Sequence, residues 1–161
     1  MMIFSSDSRE ETEIFASRLA RILLQTEDTV CLALNGTLGV GKTCFTKGLA
    51  RGLGIHEEIV SPSFAILQDY EGEKSLLHSD FYRLEPTDLQ NLGLEEQLED
   101  FEGIVVVEWA EKFPELLPLE HLALQIALEG DTRIWTLKVH GEQKFLHSIA
   151  PAWRSALEER E

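Results

Sequence analysis

Hydrophobic and polar positions along the chain follow two different periods. Over residues 14–23, apolar side chains recur at helical spacing, and Asp7 or Ser8 precedes them as a suitable N-cap. Residues 29–35 form a short apolar run of strand-forming residues that Gly36 ends, which predicts a buried strand. Residues 42–53 return to helical spacing. The first third of the chain is therefore predicted to form a helix, a strand, a glycine-rich loop and a second helix.

The later segments predict further strands, two hairpins and two broken helices. The predicted strands cover residues 64–70, 75–80, 104–109, 122–128 and 132–139. Acidic turns that contain Gly72 and Gly130 join the first two and the last two of these strands as hairpins. Residues 86–100 are predicted to be helical with a break near Gly93. A final helix over residues 143–160 is expected to be interrupted at Pro151.

Size and composition narrow the class of protein. A chain of 161 residues without an internal repeat or a linker predicts a single domain over residues 1–161. No apolar stretch reaches the roughly 18 residues of a membrane span, and residues 1–13 lack the pattern of a signal peptide. We therefore expect a cytoplasmic protein with no membrane partner. Cys31 and Cys44 have neither metal-ligand nor disulfide spacing, so we expect both to be reduced and structural.

The formal net charge of −15 limits the partners of the chain. Proteins that bind a phosphate backbone gain affinity when Lys and Arg neutralise phosphates and release counterions. We therefore expect weak binding of RNA by the chain alone, and no binding of DNA. The acidity has two open explanations, which are solubility and a docking surface for a basic partner.

The strongest motif lies between the first predicted strand and the helix that follows it. Residues 36–43, GTLGVGKT, fit the pattern G-x-x-x-x-G-K-[ST] in the context that this motif requires. Its glycines allow backbone N–H groups to point at phosphate oxygens, Lys42 supplies a cation for the β and γ phosphates, and Thr43 supplies a hydroxyl for Mg²⁺. The residues expected to contact the nucleotide are Leu38, Gly39, Val40, Gly41, Lys42, Thr43 and Cys44. The motif predicts an α/β fold of the P-loop NTPase type, with a central, mostly parallel sheet, antiparallel additions and flanking helices.

A phosphate-binding loop also requires a carboxylate at the end of a neighbouring strand. Glu108 ends the apolar run 104–107, and Asp80 ends the less apolar run 75–79. If both strands are parallel, their carboxyl ends meet at the loop, so that one acid holds Mg²⁺ and the other orients the attacking water. Either acid could be the metal ligand on pattern alone, and a solvated strand end is the alternative for each.

Three further features of the sequence each allow two interpretations. His78 shares a strand face with Asp80, and we favour a hydrogen-bonded core residue over a metal ligand because Mg²⁺ prefers oxygen ligands. Residues 61–64, SPSF, lie where switch segments of nucleotide hydrolases occur, with an ordinary turn as the alternative. Arg83 is a candidate for stabilising transition-state charge, or for a surface ion pair.

Five motifs together resemble a known family over about residues 28–112. They are NGTLGVGKT (35–43), SPSF (61–64), HSDFYRL (78–84), LGL (92–94) and VEWAEK (107–112), and in this order they are similar to those of the TsaE (YjeE) family. The resemblance implies an ATPase that uses Mg²⁺ and acts with the TsaB and TsaD proteins to form N6-threonylcarbamoyladenosine at position 37 of tRNAs reading ANN codons. It also implies that tRNA is contacted only through the partner complex, and that this chain does not transfer the carbamoyl group.

The resemblance also assigns site residues. It implies that Lys42 and Thr43 contact phosphate and Mg²⁺, that Glu108 is a Mg²⁺ ligand and that Asp80 is the second acid needed for hydrolysis. Lys42, Asp80 and Glu108 are thus the expected catalytic residues, and Thr43, Glu108 and Asp80 the expected metal residues. Trp109 completes the family's Glu-Trp pair, and Glu111 and Arg133 are expected to border the purine.

The chain departs from the family's usual residues at two positions. Ser63 stands where the family usually has threonine, and it keeps the hydroxyl. Ser79 stands where the family usually has phenylalanine, and it reduces the apolar packing beside Asp80.

Two other functions remain open. A small nucleotide kinase is compatible with the loop and the length, although no arginine-rich lid appears between Glu85 and Phe113. A binding module that ATP orders without needing hydrolysis is the other alternative. Asp80 and Glu108 argue against it because ordering needs fewer carboxylates. A GTP-specific switch is disfavoured because no N-K-x-D segment is present.

Overall fold

The structure is a computed structural model that describes residues 1–37, 39–60, 66–90 and 92–159. Leu38 and residues 61–64, for which the sequence makes functional predictions, lie outside these ranges. The strands of the described chain are β1 (Met2–Ser6), β2 (Val30–Gly36), β3 (Leu67–Tyr70), β4 (Leu76–Asp80), β5 (Ile104–Glu108), β6 (His121–Glu129) and β7 (Thr132–His140). The α-helices are α1 (Arg9–Leu23), α2 (Lys42–Gly52), α3 (Leu94–Asp100) and α4 (Lys144–Glu158). Short 3-10 helices lie at Pro86–Gln90, Ala110–Lys112 and Pro114–Leu116.

The strands form one mixed sheet in the order β1-β7-β6-β2-β5-β4-β3. The central strands β6, β2, β5 and β4 are parallel to one another. At the edges, each added strand is antiparallel to its neighbour: β3 to β4, β7 to β6, and β1 to β7. Both predicted hairpins, β3–β4 and β6–β7, are present. The predicted α/β fold, with a parallel centre and antiparallel additions, is confirmed.

Helices cover both faces of the sheet. Helices α1, α2 and α4 pack on the face to which Leu32 and Val106 contribute, and α3 packs on the face to which Cys31 and Val105 contribute. Burial on both faces explains why β2 and β5 are continuous apolar runs, as is usual for central parallel strands. Among the described helices, none combines the length and apolar character of a membrane span.

One of the two core clusters contains a group of packed aromatic rings. We call the rings of Phe4, Phe45, Trp135 and Trp153 the aromatic cluster, and their neighbouring centroids lie 4.7 to 6.1 Å apart. Trp135 Nε1 donates a hydrogen bond of 2.8 Å to Ser6 Oγ, so the polar atom of this buried ring is satisfied. The cluster joins β1, β7, α2 and α4.

Two local predictions about helices, the cap of α1 and the break near Gly93, are confirmed. Ser8 is the N-cap of α1 and accepts a hydrogen bond of 3.1 Å from the backbone N–H of Glu11. The helical segment after Pro86 is broken, because Gly93 in a left-handed conformation separates the 3-10 helix from α3. Both cysteines are buried and free of disulfides. Ser79 is buried, and its hydroxyl donates to the carbonyl oxygen of Ile66 at 2.9 Å.

Two sequence predictions were wrong. Strand β1 was not predicted, and it pairs with β7 from Met2 opposite Leu137 to Ser6 opposite Arg133. The predicted interruption of the last helix at Pro151 does not occur, because α4 continues through this residue. Pro151 lies on the exposed side of α4, while Leu146, Ile149 and Trp153 are buried on the other side. Burial of that apolar face offsets the roughly 3 kcal/mol that an internal proline costs a helix.

Candidate nucleotide-binding site

The glycine-rich loop connects the end of β2 to the start of α2. Gly41 is the N-cap of α2 and has a φ of 120°, which favours glycine. A Cβ atom at this position would lie 3.1 Å from Arg133 Nε, and Arg133 Nε itself donates to the carbonyl oxygen of Val40 at 3.0 Å. Strand β7 therefore supports the loop through Arg133. The first turn of α2 follows directly. The N–H groups of a first helical turn have no partner within their own helix, and helix N-termini of this kind can bind anions.

Lys42 is held inside this loop. It is only 5% exposed, and its Nζ donates to the carbonyl oxygens of Gly36 and, at 3.2 Å, of Thr37. The same Nζ lies 3.7 Å from the centroid of the Trp109 ring, which is a cation–π contact. The ammonium group thus has partners that a phosphate could replace.

The electrostatic surroundings of Lys42 are mixed. Burial lowers the pKa of Lys42, whereas the carboxylates of Glu111, Glu108 and Asp80 act to raise it. Burial is the larger of these effects on the pKa. A bound polyanion would favour the charged form of Lys42 in the same way as these acids do.

The two acids meet beside the loop because their strands are parallel neighbours. Asp80 of β4 is directly opposite Glu108 of β5. Glu108 is 2% exposed, and its Oε1 accepts a hydrogen bond of 3.0 Å from Thr43 Oγ1, which links β5 to the first turn of α2. Asp80 is half-buried, and its Oδ1 accepts from the backbone N–H of Tyr82 at 2.9 Å.

These groups line one cavity of about 610 Å³. This volume is in the usual range for small-molecule sites. The sequence-predicted residues that line it are Gly39, Gly41, Lys42, Thr43, Cys44, Asp80, Glu108 and Arg133, together with Arg83. Val40 contributes its carbonyl to the contact with Arg133. Glu111 is not among the described lining residues, and its backbone N–H donates to Asn35 Oδ1 at 3.1 Å.

Sequence reasoning missed parts of the site. Arg9, at the start of α1, and Tyr82 also line the cavity. The motif at 107–112 includes Trp109 but does not predict its position over Lys42. Its φ of 57° lies in the left-handed region, which is an outlier for a bulky residue and marks a constrained strand end. The Glu-Trp pair after an apolar strand was the one signal for this contact.

His78 is a core residue with a hydrogen bond, as the sequence predicted. It is fully buried, and its Nε2 is hydrogen-bonded to Glu108 Oε2. The prediction did not extend to the partner, which is the carboxylate of the candidate site. Nδ1 of the same ring is buried and has no hydrogen-bond partner in the described part of the chain.

The polar groups at this site fit the ligand preferences of a magnesium ion. Thr43, Asp80 and Glu108 offer a hydroxyl and two carboxylates, which are the oxygen ligands that Mg²⁺ prefers. Within the described ranges, no group of three or more His, Cys, Asp or Glu side chains is placed to hold a metal by itself. This set matches the usual pattern for Mg²⁺, in which one or two carboxylates are supplemented by phosphate oxygens and water.

The fold and the loop define the class of the protein. The chain is an α/β protein that carries the G-x-x-x-x-G-K-[ST] loop between a strand and a helix, at the carboxyl edge of a parallel sheet. A profile of the family described as "Threonylcarbamoyl adenosine biosynthesis protein TsaE" matches residues 6–135. The chain belongs to the TsaE family.

Individual relatives agree with this assignment. The chain is 38% identical over 132 residues to the tRNA threonylcarbamoyladenosine biosynthesis protein TsaE of Treponema pallidum. The aligned region covers 80% of this chain and 95% of that protein. It is 46% identical over 101 residues to the TsaE protein of Bacillus subtilis, covering 62% of this chain and 63% of that protein. The crystal structure of YdiB from Bacillus subtilis is similar with a TM-score of 0.76 and 30% identity, and covers 96% of this chain and 95% of that one.

Proposed function

We propose that this protein is an ATPase that binds Mg²⁺ and ATP in the cavity between the glycine-rich loop and the ends of β4 and β5. The observation that carries the proposal is the convergence of Lys42, Thr43, Asp80 and Glu108 on that one cavity. A cation, a hydroxyl and two carboxylates next to a helix N-terminus are the groups that phosphoryl transfer to water requires.

The loop and Lys42 bind the phosphates. Backbone N–H groups of the loop and of the first turn of α2 donate to phosphate oxygens, and Arg133 keeps the loop in place through Val40. When the triphosphate enters, Lys42 Nζ exchanges the carbonyl oxygens of Gly36 and Thr37 for phosphate oxygens. Trp109 covers the ammonium group and limits its access to water.

Two roles remain at the site, which are binding of Mg²⁺ and orientation of the attacking water. Thr43 and Glu108, with Asp80 beside them, would hold Mg²⁺, which neutralises negative charge on the phosphates when it is bound. Asp80 is more exposed than Glu108, so it is the better placed of the two to accept a hydrogen bond from the attacking water and orient it. Arg83, which also lines the cavity, is available for charge that develops on the phosphates.

The pathway follows from the family. The relatives carry the name tRNA threonylcarbamoyladenosine biosynthesis protein TsaE. We propose that ATP hydrolysis by this chain supports the TsaB and TsaD proteins in forming N6-threonylcarbamoyladenosine at position 37 of tRNAs that read ANN codons. The net charge of −15 is consistent with tRNA being bound by those partners and not by this chain.

Replacement of the loop lysine tests the proposal. Lys42→Ala should lose ATP hydrolysis and the nucleotide-dependent support of tRNA modification in a system reconstituted with TsaB and TsaD, because the phosphates lose their cation. Lys47→Ala is the matched control, since Lys47 lies on the same helix and is not among the described residues that line the cavity. Full activity of Lys42→Ala would refute the proposal.

A further inference from the structure

His78 is a buried titratable residue that the proposed mechanism does not use. Its side chain is fully enclosed, and its Nε2 is hydrogen-bonded to Glu108 Oε2. Within the described part of the chain, Nδ1 has no partner. A buried nitrogen without a partner destabilises a fold. For packing alone, an apolar side chain at this position would therefore stabilise the core more than histidine does. The contact with Glu108 is what the imidazole adds.

The strand register determines the side from which His78 approaches Glu108. His78 is opposite Val106 on β5, two residues before Glu108, whereas Asp80 is directly opposite Glu108. Two residues correspond to about 6.6 Å along a strand. His78 and Asp80 share a strand face. His78 therefore lies deeper in the sheet than Asp80, on the side of Glu108 that is away from the loop.

The two oxygens of Glu108 have different partners. Thr43 Oγ1 donates to Oε1 at 3.0 Å, and His78 Nε2 contacts Oε2. With a hydrogen on Nε2, the ring donates to the carboxylate. One donor would leave the carboxylate free to rotate about its last torsion angle. Two donors on different oxygens define its plane, because each holds one oxygen.

We propose that His78 is a positioning residue that orients the carboxylate of Glu108 for the divalent cation. The inference rests on the proposed function, because it gives Glu108 a role toward Mg²⁺. His78 itself does not contact the cation or the nucleotide. Hydrogen-bond partners of metal-binding carboxylates commonly have this function in metal sites.

Three substitutions separate positioning from packing. His78→Gln keeps an N–H donor at the reach of Nε2, His78→Asn places its amide at the reach of Nδ1, and His78→Leu removes the donor but keeps an apolar volume. His56→Leu is a control at an exposed histidine. Circular dichroism and thermal unfolding identify the variants that are folded.

The readout is cation affinity and not turnover. Mn²⁺ is the probe, and its affinity for the protein loaded with a non-hydrolysable ATP analogue is measured by electron paramagnetic resonance. Affinity for the analogue is measured separately in EDTA. We expect His78→Leu and His78→Asn to weaken Mn²⁺ binding by about 10- to 100-fold. Affinity for the analogue in EDTA should stay within about twofold, and His78→Gln should recover most of the Mn²⁺ affinity.

Two results would overturn the inference. One is unchanged Mn²⁺ affinity in folded His78→Leu. The other is equal Mn²⁺ affinity of His78→Gln and His78→Asn. This second comparison tests the role of His78 even if His78→Leu does not fold. Failure of the proposed function is a different observation, since the wild-type protein would then take up neither the analogue nor Mn²⁺ with it.

Discussion

The aromatic cluster and the cavity around Glu108 lie on the same face of the sheet, and they use buried residues in opposite ways. In the aromatic cluster, rings pack on rings, and the indole N–H of Trp135 is satisfied by Ser6. Around the cavity, a lysine and a glutamate are buried at a cost in desolvation. One region therefore stabilises the fold, while the other uses part of that stability to hold charged groups in place.

Helix α2 connects the two regions. Its first residues, Lys42 and Thr43, face the cavity, and Phe45 packs on Trp135 with a centroid distance of 5.0 Å. The cluster therefore fixes the helix whose N-terminus forms part of the site. Changes in the cluster should lower stability and leave nucleotide affinity intact in the folded protein, and changes at the site should do the reverse.

The largest expected effect on stability is that of Trp135→Ala. Trp135 is fully buried, and the substitution should lower the free energy of unfolding by about 3–5 kcal/mol because it leaves a large cavity. Urea denaturation measures this loss. Trp135→Phe keeps a ring and should lose less, and its affinity for ATP should match that of the wild type. A loss below about 1 kcal/mol for Trp135→Ala would mean that the cluster is not a stabilising region.

Asp80→Asn is expected to affect ATP hydrolysis alone. Expressed as a free energy, this effect is comparable to or smaller than the loss of stability in Trp135→Ala. Hydrolysis of ATP should fall by at least about a hundredfold because a neutral amide replaces the charged carboxylate that orients the water, while ATP affinity and the free energy of unfolding change little. Asp69→Asn, at an exposed position of β3, is the control. Turnover assays measure hydrolysis, calorimetric titration measures ATP affinity, and urea denaturation measures the free energy of unfolding. If Asp80→Asn loses hydrolysis and still supports tRNA modification, ATP acts only by ordering the protein.

The smallest effect concerns a histidine that lies in neither region. Burial and the neighbouring His140 lower the pKa of His121, while its hydrogen bond to the carbonyl oxygen of Pro118 acts to raise it. Because the folded pKa is below the unfolded value of about 6.5, the unfolded state binds the proton more tightly, and stability falls as the pH drops below about 6.5. His121→Asn should make the free energy of unfolding less dependent on pH between about 7 and 5, by less than about 1 kcal/mol. An unchanged pH profile would contradict this assignment.

Much of the site could be predicted because its geometry follows from local patterns. The apolar run before Gly36 and the helical spacing after Lys42 predict the strand, loop and helix that the structure contains. Asp80 and Glu108 were predicted to converge because each ends a strand, and parallel strands end at the same edge.

The remaining features depend on contacts between distant segments. Strand β1 lacks a clear pattern, since Ile3 is exposed and Ser6 is buried, and it exists because β7 offers an edge to pair with. The contact of His78 with Glu108 depends on the register between β4 and β5, which no local pattern specifies. Continuation of α4 through Pro151 depends on the buried face that α1 and the sheet provide.

We propose that the loop and the two carboxylates together form a single site for Mg²⁺ and ATP. Calorimetric titration of the wild type and of Glu108→Gln with a non-hydrolysable ATP analogue, in Mg²⁺ and in EDTA, tests it most directly. We predict that Mg²⁺ raises the affinity of the wild type, and that Glu108→Gln loses this gain but keeps its affinity in EDTA. Absence of uptake by the wild type, or an undiminished effect of Mg²⁺ in Glu108→Gln, would contradict the account.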